Sequence, residues 1–114
     1  MTIQACYEAL GADYAATFQR LPNEAMLMRL AKMFLKDDSF QKLKAALAVG
    51  DAQTAFREAH TLKGVCLNLG FSQLYEPTSA LTEVLRSGAL EGSQPLFAAV
   101  EREYERTANI LQQL

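Results

Sequence analysis

The chain contains few of the residues that mark several common classes of protein. Its 114 residues include no tryptophan, one histidine, two cysteines and three prolines. Two cysteines are too few for a disulfide framework, and neither Cys6 nor Cys66 belongs to a CxxC pair of the kind that binds structural zinc. We therefore expect both to be small core residues in a reducing compartment rather than the two halves of a bridge.

An excess of charge of one sign and long hydrophobic runs are also absent. Eleven Lys and Arg stand against 13 Asp and Glu, which gives a formal net charge of −2. Such a chain has no strong basic field to hold nucleic acid or an anionic membrane. No apolar run approaches the ~20 residues that span a bilayer, and the N-terminus lacks the basic and apolar regions of a signal peptide. We expect a cytoplasmic protein that binds neither nucleic acid nor membrane.

The residues that are present favour helices throughout. Ala, Leu, Glu, Lys and Gln are frequent, and no stretch alternates between apolar and polar residues as a strand would. The length suits one domain, 1–114. Short connections predict an all-α, antiparallel up-down four-helix bundle over 23–113, with additional short helical segments over 2–20.

Capping residues and glycines predict where most of the helices begin and end. Small polar residues with a free side-chain oxygen suit the first position, and glycine suits the last because it tolerates the left-handed conformation. The candidate starts are Thr2, Asp13, Asn23, the cluster 37–39 and the pair 92–93, and the candidate ends are Gly11, Gly50 and Gly88.

The helix with the clearest boundaries lies between Asp51, which can cap it, and Gly70, which can end it. In the helix that follows, Ser72 is the candidate cap. Pro77 then predicts either a bend or a regular part that begins only near Glu76, since proline clashes with the preceding turn. The expected core stripe of the 51–70 helix has a spacing of three or four residues: Ala52, Ala55, Ala59, Leu62, Cys66 and Leu69.

The only histidine lies in the middle of that helix. One residue changes the direction along a helix by ~100°, so His60, which follows core position Ala59, is expected at the rim of the buried face with a ring nitrogen open to water. A neutral imidazole is a competent nucleophile towards phosphorus. Lys63, one turn later, can reach a phosphoryl group on His60 and stabilise its charge. Arg57, three residues earlier, is a candidate second contact or docking charge.

Gly64 stands four residues after His60 and therefore beside it on the helix surface. Glycine inside a helix costs ~1 kcal/mol relative to alanine, so its presence needs a reason. The missing side chain either permits close packing of a neighbouring helix or leaves room for the acceptor carboxylate of a partner. Next to His60 and Lys63 we favour partner access.

These residues resemble the signature of a known family. The segment 59–64 reads Ala-His-Thr-Leu-Lys-Gly, and a Leu-Gly pair follows at 69–70. This is similar to histidine-containing phosphotransfer (HPt) domains, which have a histidine, Lys-Gly at the third and fourth positions after it, and a glycine that ends the helix. The resemblance extends from about Asp13 to Gly88, and the last helix matches in kind only.

The resemblance implies a fold, a function and partners. It implies a two-component phosphorelay intermediate that carries a phosphoryl group on the outer ring nitrogen of His60, with Lys63 stabilising the group and Gly64 admitting the partner. The implied partners are response-regulator receiver domains and a hybrid sensor kinase, with a Mg²⁺ ion bound by the receiver. The implied protein has no cofactor, metal, ATP site or kinase activity of its own. A bundle that completes its own core is expected to be a monomer.

One feature departs from the family pattern. Many members place a glutamine on the next helix, where it holds the inner ring nitrogen of the histidine. Counting along the chain places Thr82 at that position, and threonine is too short to replace glutamine directly. The orienting role could therefore fall to Thr82, Ser79, Glu83 or no residue. Candidate apolar docking residues near the histidine, each of which could equally belong to the core, are Met33, Phe34, Phe56 and Leu67.

Two other classes of function remain open from the residues alone. A helical adaptor would dock a partner without covalent chemistry, and loss of phosphoryl uptake with retained binding in a His60 variant would separate the two activities. A di-iron or other metal-binding bundle needs several inward Glu and His ligands. A single histidine makes that class the weaker alternative.

Overall fold

The computed structural model describes all residues, 1–114, and contains seven α-helices and no strand. The all-α prediction is therefore confirmed. None of the helices combines the length and the hydropathy that a membrane-crossing segment requires. In chain order the helices are α1 (Ile3–Leu10), α2 (Tyr14–Arg20), α3 (Glu24–Lys36), α4 (Ser39–Ala48), α5 (Ala52–Leu69), α6 (Ser72–Arg86) and α7 (Ser93–Leu111).

Short polar side chains begin four of the helices, as the sequence predicts. Thr2, Asp13, Asn23 and Asp51 each accept a hydrogen bond from the backbone N–H three residues later. These bonds satisfy donors that have no partner within the helix. At the other end of α5, Gly70 adopts φ 75°, a conformation that glycine reaches without a steric penalty. Local signals therefore fix both ends of the helix that carries the histidine.

The start of α6 differs from the prediction. Ser72 is its first residue rather than its cap, and Phe71 occupies the cap position without a side-chain hydrogen bond. The helix continues through Pro77, which excludes a regular part that begins only near Glu76. Tertiary packing outweighs the loss of one backbone hydrogen bond, because the inner face on both sides of the proline is buried. That face consists of Leu74, Thr78, Leu81, Thr82 and Leu85.

Helices α4 to α7 form a four-helix bundle over 39–111, whereas the bundle predicted over 23–113 also included α3. Helix α5 packs against α4 and α6, and α6 packs against α7. Contacts between α4 and α7 close the bundle: the rings of Phe40 and Tyr104 stack with centroids 4.1 Å apart, and Lys44 forms a 2.8 Å ion pair with Glu101. Helix α3 packs against α5 and α7, and α1 packs against α3 and α7. The short N-terminal helices therefore join the same packed body.

The buried apolar residues form one core cluster, and both cysteines belong to it. Five of the six positions predicted for the α5 stripe are buried, whereas Ala52 is half-buried. Cys6 and Cys66 are buried and free, which confirms the core interpretation. Burial raises the pKa of the Cys66 thiol to about 12, so that this thiol stays protonated at neutral pH.

The N-terminal helices fasten the C-terminal end of α5. The hydroxyl of Tyr7 donates a 2.6 Å hydrogen bond to the carbonyl of Leu69, and the guanidinium of Arg20 donates a 3.1 Å bond to the carbonyl of Asn68. The last carbonyls of a helix have no partner within it, so these side chains supply one. The partners lie 62 and 48 positions apart in the chain, and sequence patterns did not predict either bond.

We expect the substitution Tyr7→Phe to lower the free energy of unfolding by about 1–2 kcal/mol. It deletes a buried hydrogen bond and leaves the Leu69 carbonyl without this donor. Thermal denaturation followed by circular dichroism should show a Tm lower by roughly 4–10 °C. Tyr75→Phe, at a half-buried tyrosine of α6, is the matched control. An unchanged Tm in the Tyr7 variant would contradict the role assigned to this bond.

Candidate functional site

An exposed stripe runs along the outer face of α5. His60, Gly64 and Leu67 are spaced by four and three residues and therefore lie on one side of the helix. All three are exposed, while Ala59 and Leu62 on the opposite side belong to the core. The structure thus leaves His60 open to solvent at a position next to core residue Ala59. Its ring can be reached by another molecule.

The ring of Phe56 packs beside the imidazole. The centroids of Phe56 and His60 are 5.9 Å apart, and the ring planes are inclined by 58°. Phe56 is half-buried against the core, and the guanidinium carbon of Arg86 lies 5.1 Å from the centroid of its ring. Phe56 therefore contacts both the imidazole and an arginine of α6. It was predicted as a docking residue, and the structure leaves only part of it open to a partner.

Helix α6 brings a carboxylate to the same face. The ammonium of Lys63 lies 3.9 Å from Oε1 of Glu83, and the guanidinium of Arg86 donates two hydrogen bonds of 3.0 and 3.1 Å to that carboxylate. The hydrogen bonds and the charge of Arg86 hold the pKa of Glu83 below its usual range, with smaller contributions from Lys63 and His60. Glu83 is therefore an ionised group that lies among three basic side chains.

Gly64 opens space beside the histidine. A Cβ atom built on this residue would meet nothing within 4 Å apart from the helix's own nearby backbone. Close packing of a neighbouring helix therefore does not explain the glycine, and this alternative from the sequence is wrong. The ~1 kcal/mol that a helical glycine costs has no intramolecular benefit to offset it here.

Thr82, which counting placed opposite the histidine, lies in the core instead. Its side chain is fully buried, and its hydroxyl donates a 2.7 Å hydrogen bond to the carbonyl of Thr78. Counting gives a position along α6 but not the direction of the side chain, which depends on how α6 rolls against α5. Ser79 is half-buried on the same helix. Among the three candidates for the orienting role, Glu83 lies close enough for the histidine to affect its pKa.

The prediction of Phe34 as an exposed docking residue is wrong. Its side chain is 2% exposed, and its ring meets that of Phe71 edge-on with centroids 5.4 Å apart. Phe34 belongs to the inner face of α3 together with Leu27 and Ala31, because residues three and four apart share a face. Met33, one position earlier, points outwards and is 57% exposed.

Arg57 is directed away from the histidine. Its guanidinium donates a 3.3 Å hydrogen bond to the hydroxyl of Thr54, one turn towards the start of α5. Hydrogen bonds from Thr54 lower the pKa of the Asp51 carboxyl, and the charge of Arg57 contributes a smaller part. In this arrangement Arg57 does not form the second contact to a group on His60, and its role as a docking charge remains a prediction.

A groove between α3 and α5 borders the exposed stripe. It begins one residue beyond Gly64, at Val65, and continues to the end of α5. Two exposed apolar side chains, Met33 in the groove and Leu67 on the stripe, are 57% and 60% exposed. Exposed apolar groups of this size next to a groove are typical of protein interaction surfaces. The groove is lined by Leu30, Met33, Phe34, Lys36, Asp37, Val65, Asn68 and Leu69.

The protein is a packed helix bundle with an exposed histidine on one helix. Comparison with known families identifies the class of protein to which it belongs. The family model of the Hpt domain matches residues 29–110. The chain therefore belongs to the Hpt domain family and has a histidine phosphotransfer role in phosphorelay signalling. Proteins of this family are phosphotransfer intermediates rather than kinases, and they interact with receiver domains and kinases.

Among solved structures, the chain is similar to the histidine-containing phosphotransfer protein B (HptB) from Pseudomonas aeruginosa PAO1. The TM-score is 0.78 and the sequence identity 29%, over 90% of this chain and 91% of that chain. No curated protein matches the sequence significantly. The family match begins within α3 and ends within α7, so the last helix belongs to it, although its sequence resembled the family in kind only.

Proposed function

We propose that His60 is the residue that carries the phosphoryl group. It is the only histidine of the chain and lies exposed in the middle of α5. A neutral ring nitrogen attacks the phosphorus of an aspartyl phosphate on a receiver domain. The new P–N bond forms, the P–O bond to the aspartate breaks, and the aspartate leaves with the electron pair as a carboxylate. The reverse step returns the group to a receiver, so that the protein works as a relay.

The observation that carries this proposal is the open space beside His60. Phosphoryl transfer needs the attacking and leaving atoms in line, so the donor aspartate has to approach the ring closely. Gly64, one turn from the histidine, leaves that approach open and has no packing role within the chain. An exposed histidine with a structural role alone would not need this gap.

We propose that Lys63 stabilises the transferred group. Its ammonium lies one turn after His60, and its flexible four-carbon stem allows the charge to move from Glu83 to the phosphoryl oxygens. Charge stabilisation is the main contribution that a protein makes to phosphoryl transfer. The contact between Lys63 and Glu83 is long enough, at 3.9 Å, to be exchanged without a large loss of energy.

The receiver domain docks on the exposed stripe and the adjoining groove. Met33 in the groove and Leu67 on the stripe offer exposed apolar contacts to it. Lys36 at the end of α3 lines the groove, and a basic side chain suits the acidic site of a receiver. The receiver contributes its aspartate and a Mg²⁺ ion, so this chain supplies the imidazole and needs no cofactor.

The phosphoryl group reaches this protein from a partner and not from ATP. The proposed donors and acceptors are response-regulator receiver domains, including the receiver of a hybrid sensor kinase, and the chain has no kinase activity of its own. We propose that it works as a monomer, because the helices of one chain already close a single core among themselves. The protein and its receivers have to share a compartment, which we take to be the cytoplasm.

Transfer from a receiver domain charged with acetyl phosphate and Mg²⁺ tests this proposal. We expect the chain to gain one phosphoryl group, as measured by intact mass, while the receiver loses its own. The modification should survive base and disappear in acid, because the P–N bond of phosphohistidine is labile in acid. Fragmentation should place it on His60. A base-labile acyl phosphate, or a modification on another residue, would contradict the proposal.

A further inference from the structure

Glu83 contacts both Arg86 and Lys63, the lysine beside the histidine. The carboxylate is held by two hydrogen bonds from Arg86, and the arginine in turn rests on the ring of Phe56. The same carboxylate lies 3.9 Å from the ammonium of Lys63. Lys63 is the less exposed partner of this pair, with 23% of its side chain exposed against 55% for Glu83. The carboxylate thus has a fixed position from which it attracts the lysine.

We propose that Glu83 is a positioning residue that competes with the incoming phosphoryl group for Lys63 and thereby slows the loading of His60. This inference rests on the proposed function of His60. In the resting protein the ammonium of Lys63 interacts with the Glu83 carboxylate. The charge that develops on the phosphoryl oxygens during transfer has to draw Lys63 away from this partner. Removing the carboxylate leaves the lysine free to stabilise the transition state.

The expected effect is modest and depends on salt. Interactions between side chains as exposed as these are worth little, so neutralising Glu83 should speed loading about threefold, within a range of roughly 1.5- to 5-fold. Mobile ions screen contacts of this kind. The difference between the variant and the wild-type protein should therefore shrink as the ionic strength rises from about 0.02 M to about 1 M.

Loading with phosphoramidate provides the sharpest test, because this small donor does not use the docking surface. The P–N bond of phosphoramidate breaks, ammonia leaves, and the phosphoryl group forms a new P–N bond with His60. We expect the rate of phosphohistidine formation, followed by ³¹P NMR or intact mass, to rise about threefold in Glu83→Gln. Because Glu83 is exposed, the variant should keep its fold, which circular dichroism would verify.

A double-mutant cycle separates competition for Lys63 from direct repulsion of the donor. In a Lys63→Met background, the further change Glu83→Gln should leave the rate unaltered. The matched charge control is Glu105→Gln, since Glu105 is an exposed residue on α7 that lies near Lys44. Its rate should equal that of the wild-type protein.

Four outcomes would overturn the inference about Glu83. The first is an unchanged or slower rate in Glu83→Gln, and the second is an equal gain in the Lys63→Met background. The third is a gain of the same size in Glu105→Gln, which would indicate a general effect of net charge. The fourth is a gain that persists at high salt. A wild-type protein that gains no phosphoryl group on His60 would contradict the proposed function itself, so the two failures are distinguishable.

Discussion

Replacing His60 with glutamine is expected to reduce phosphoryl uptake from a charged receiver to the background level. Glutamine has no nucleophilic nitrogen, because its amide lone pair is delocalised into the carbonyl. It is also a good helix former of similar reach, and position 60 is exposed. The free energy of unfolding should therefore stay within about 0.5 kcal/mol of the wild-type value. Uptake is measured by intact mass after mixing, and stability by denaturant titration.

The same variant distinguishes the phosphorelay hypothesis from the adaptor hypothesis. Isothermal titration of His60→Gln with an unphosphorylated receiver should give a Kd close to that of the wild-type protein, because Gly64, Leu67 and the groove remain unchanged. Thr61→Ala, at the exposed neighbouring position, is the matched control and should keep uptake within about twofold. Phosphoryl uptake that persists in His60→Gln would refute the assignment. The adaptor hypothesis would gain support if neither His60→Gln nor the wild-type protein took up phosphate while both bound the receiver.

Substitutions at Gly64 are expected to move stability and transfer in opposite directions. Gly64→Ala and Gly64→Gln should raise the free energy of unfolding by about 0.5–1 kcal/mol, because a helical glycine is replaced and the new Cβ meets no atom within 4 Å. Gly64→Gln should slow transfer from a receiver by about a hundredfold, since a long side chain beside His60 misplaces the donor aspartate. The transfer rate of Gly64→Ala, which adds one methyl group, should fall between those of the wild-type protein and Gly64→Gln.

Ala98→Gln on α7 is the control for the bulky substitution, because it adds the same side chain at an exposed position of another helix. Its transfer rate should match the wild-type rate. Loading by phosphoramidate gives a second comparison. In Gly64→Gln the rate of loading by this small donor should fall much less than the rate of transfer from a receiver. Equal losses with both donors would mean that the glutamine disturbs the histidine itself and that Gly64 does not admit a partner. Lower stability in Gly64→Ala would contradict the open space seen in the structure.

The parts of the fold that depend on neighbouring residues were predictable from the sequence. A capping side chain bonds to a backbone N–H three residues later, and a left-handed glycine ends the turn that precedes it. Asp51 and Gly70 therefore set both ends of α5 before any packing is considered. The spacing of His60, Lys63 and Gly64 is equally local, and it led to the family that the comparison confirmed. The buried stripe of α5 followed from helical periodicity for the same reason.

The errors arose where the orientation of one helix against another decides the outcome. Periodicity shows which residues share a face of a helix, but not which face turns inwards when both carry apolar residues. Phe34 and Met33 are both apolar and adjacent, and the packing of α3 on α5 and α7 buries one and exposes the other. Thr82 and Glu83 are adjacent in the same way, and the roll of α6 places the carboxylate at the site.

Considered by itself, the sequence determined the helices, most of their ends, the identity of the one possible phosphohistidine and the family. Each of these follows from interactions within one or two turns of helix, which hold whatever the rest of the chain does. Only the tertiary structure decided that the space at Gly64 is empty, that Phe34 is core, and that Glu83 of α6 lies 3.9 Å from Lys63 of α5. Those facts depend on distances between residues far apart in the chain, and such distances exist only once the bundle has closed.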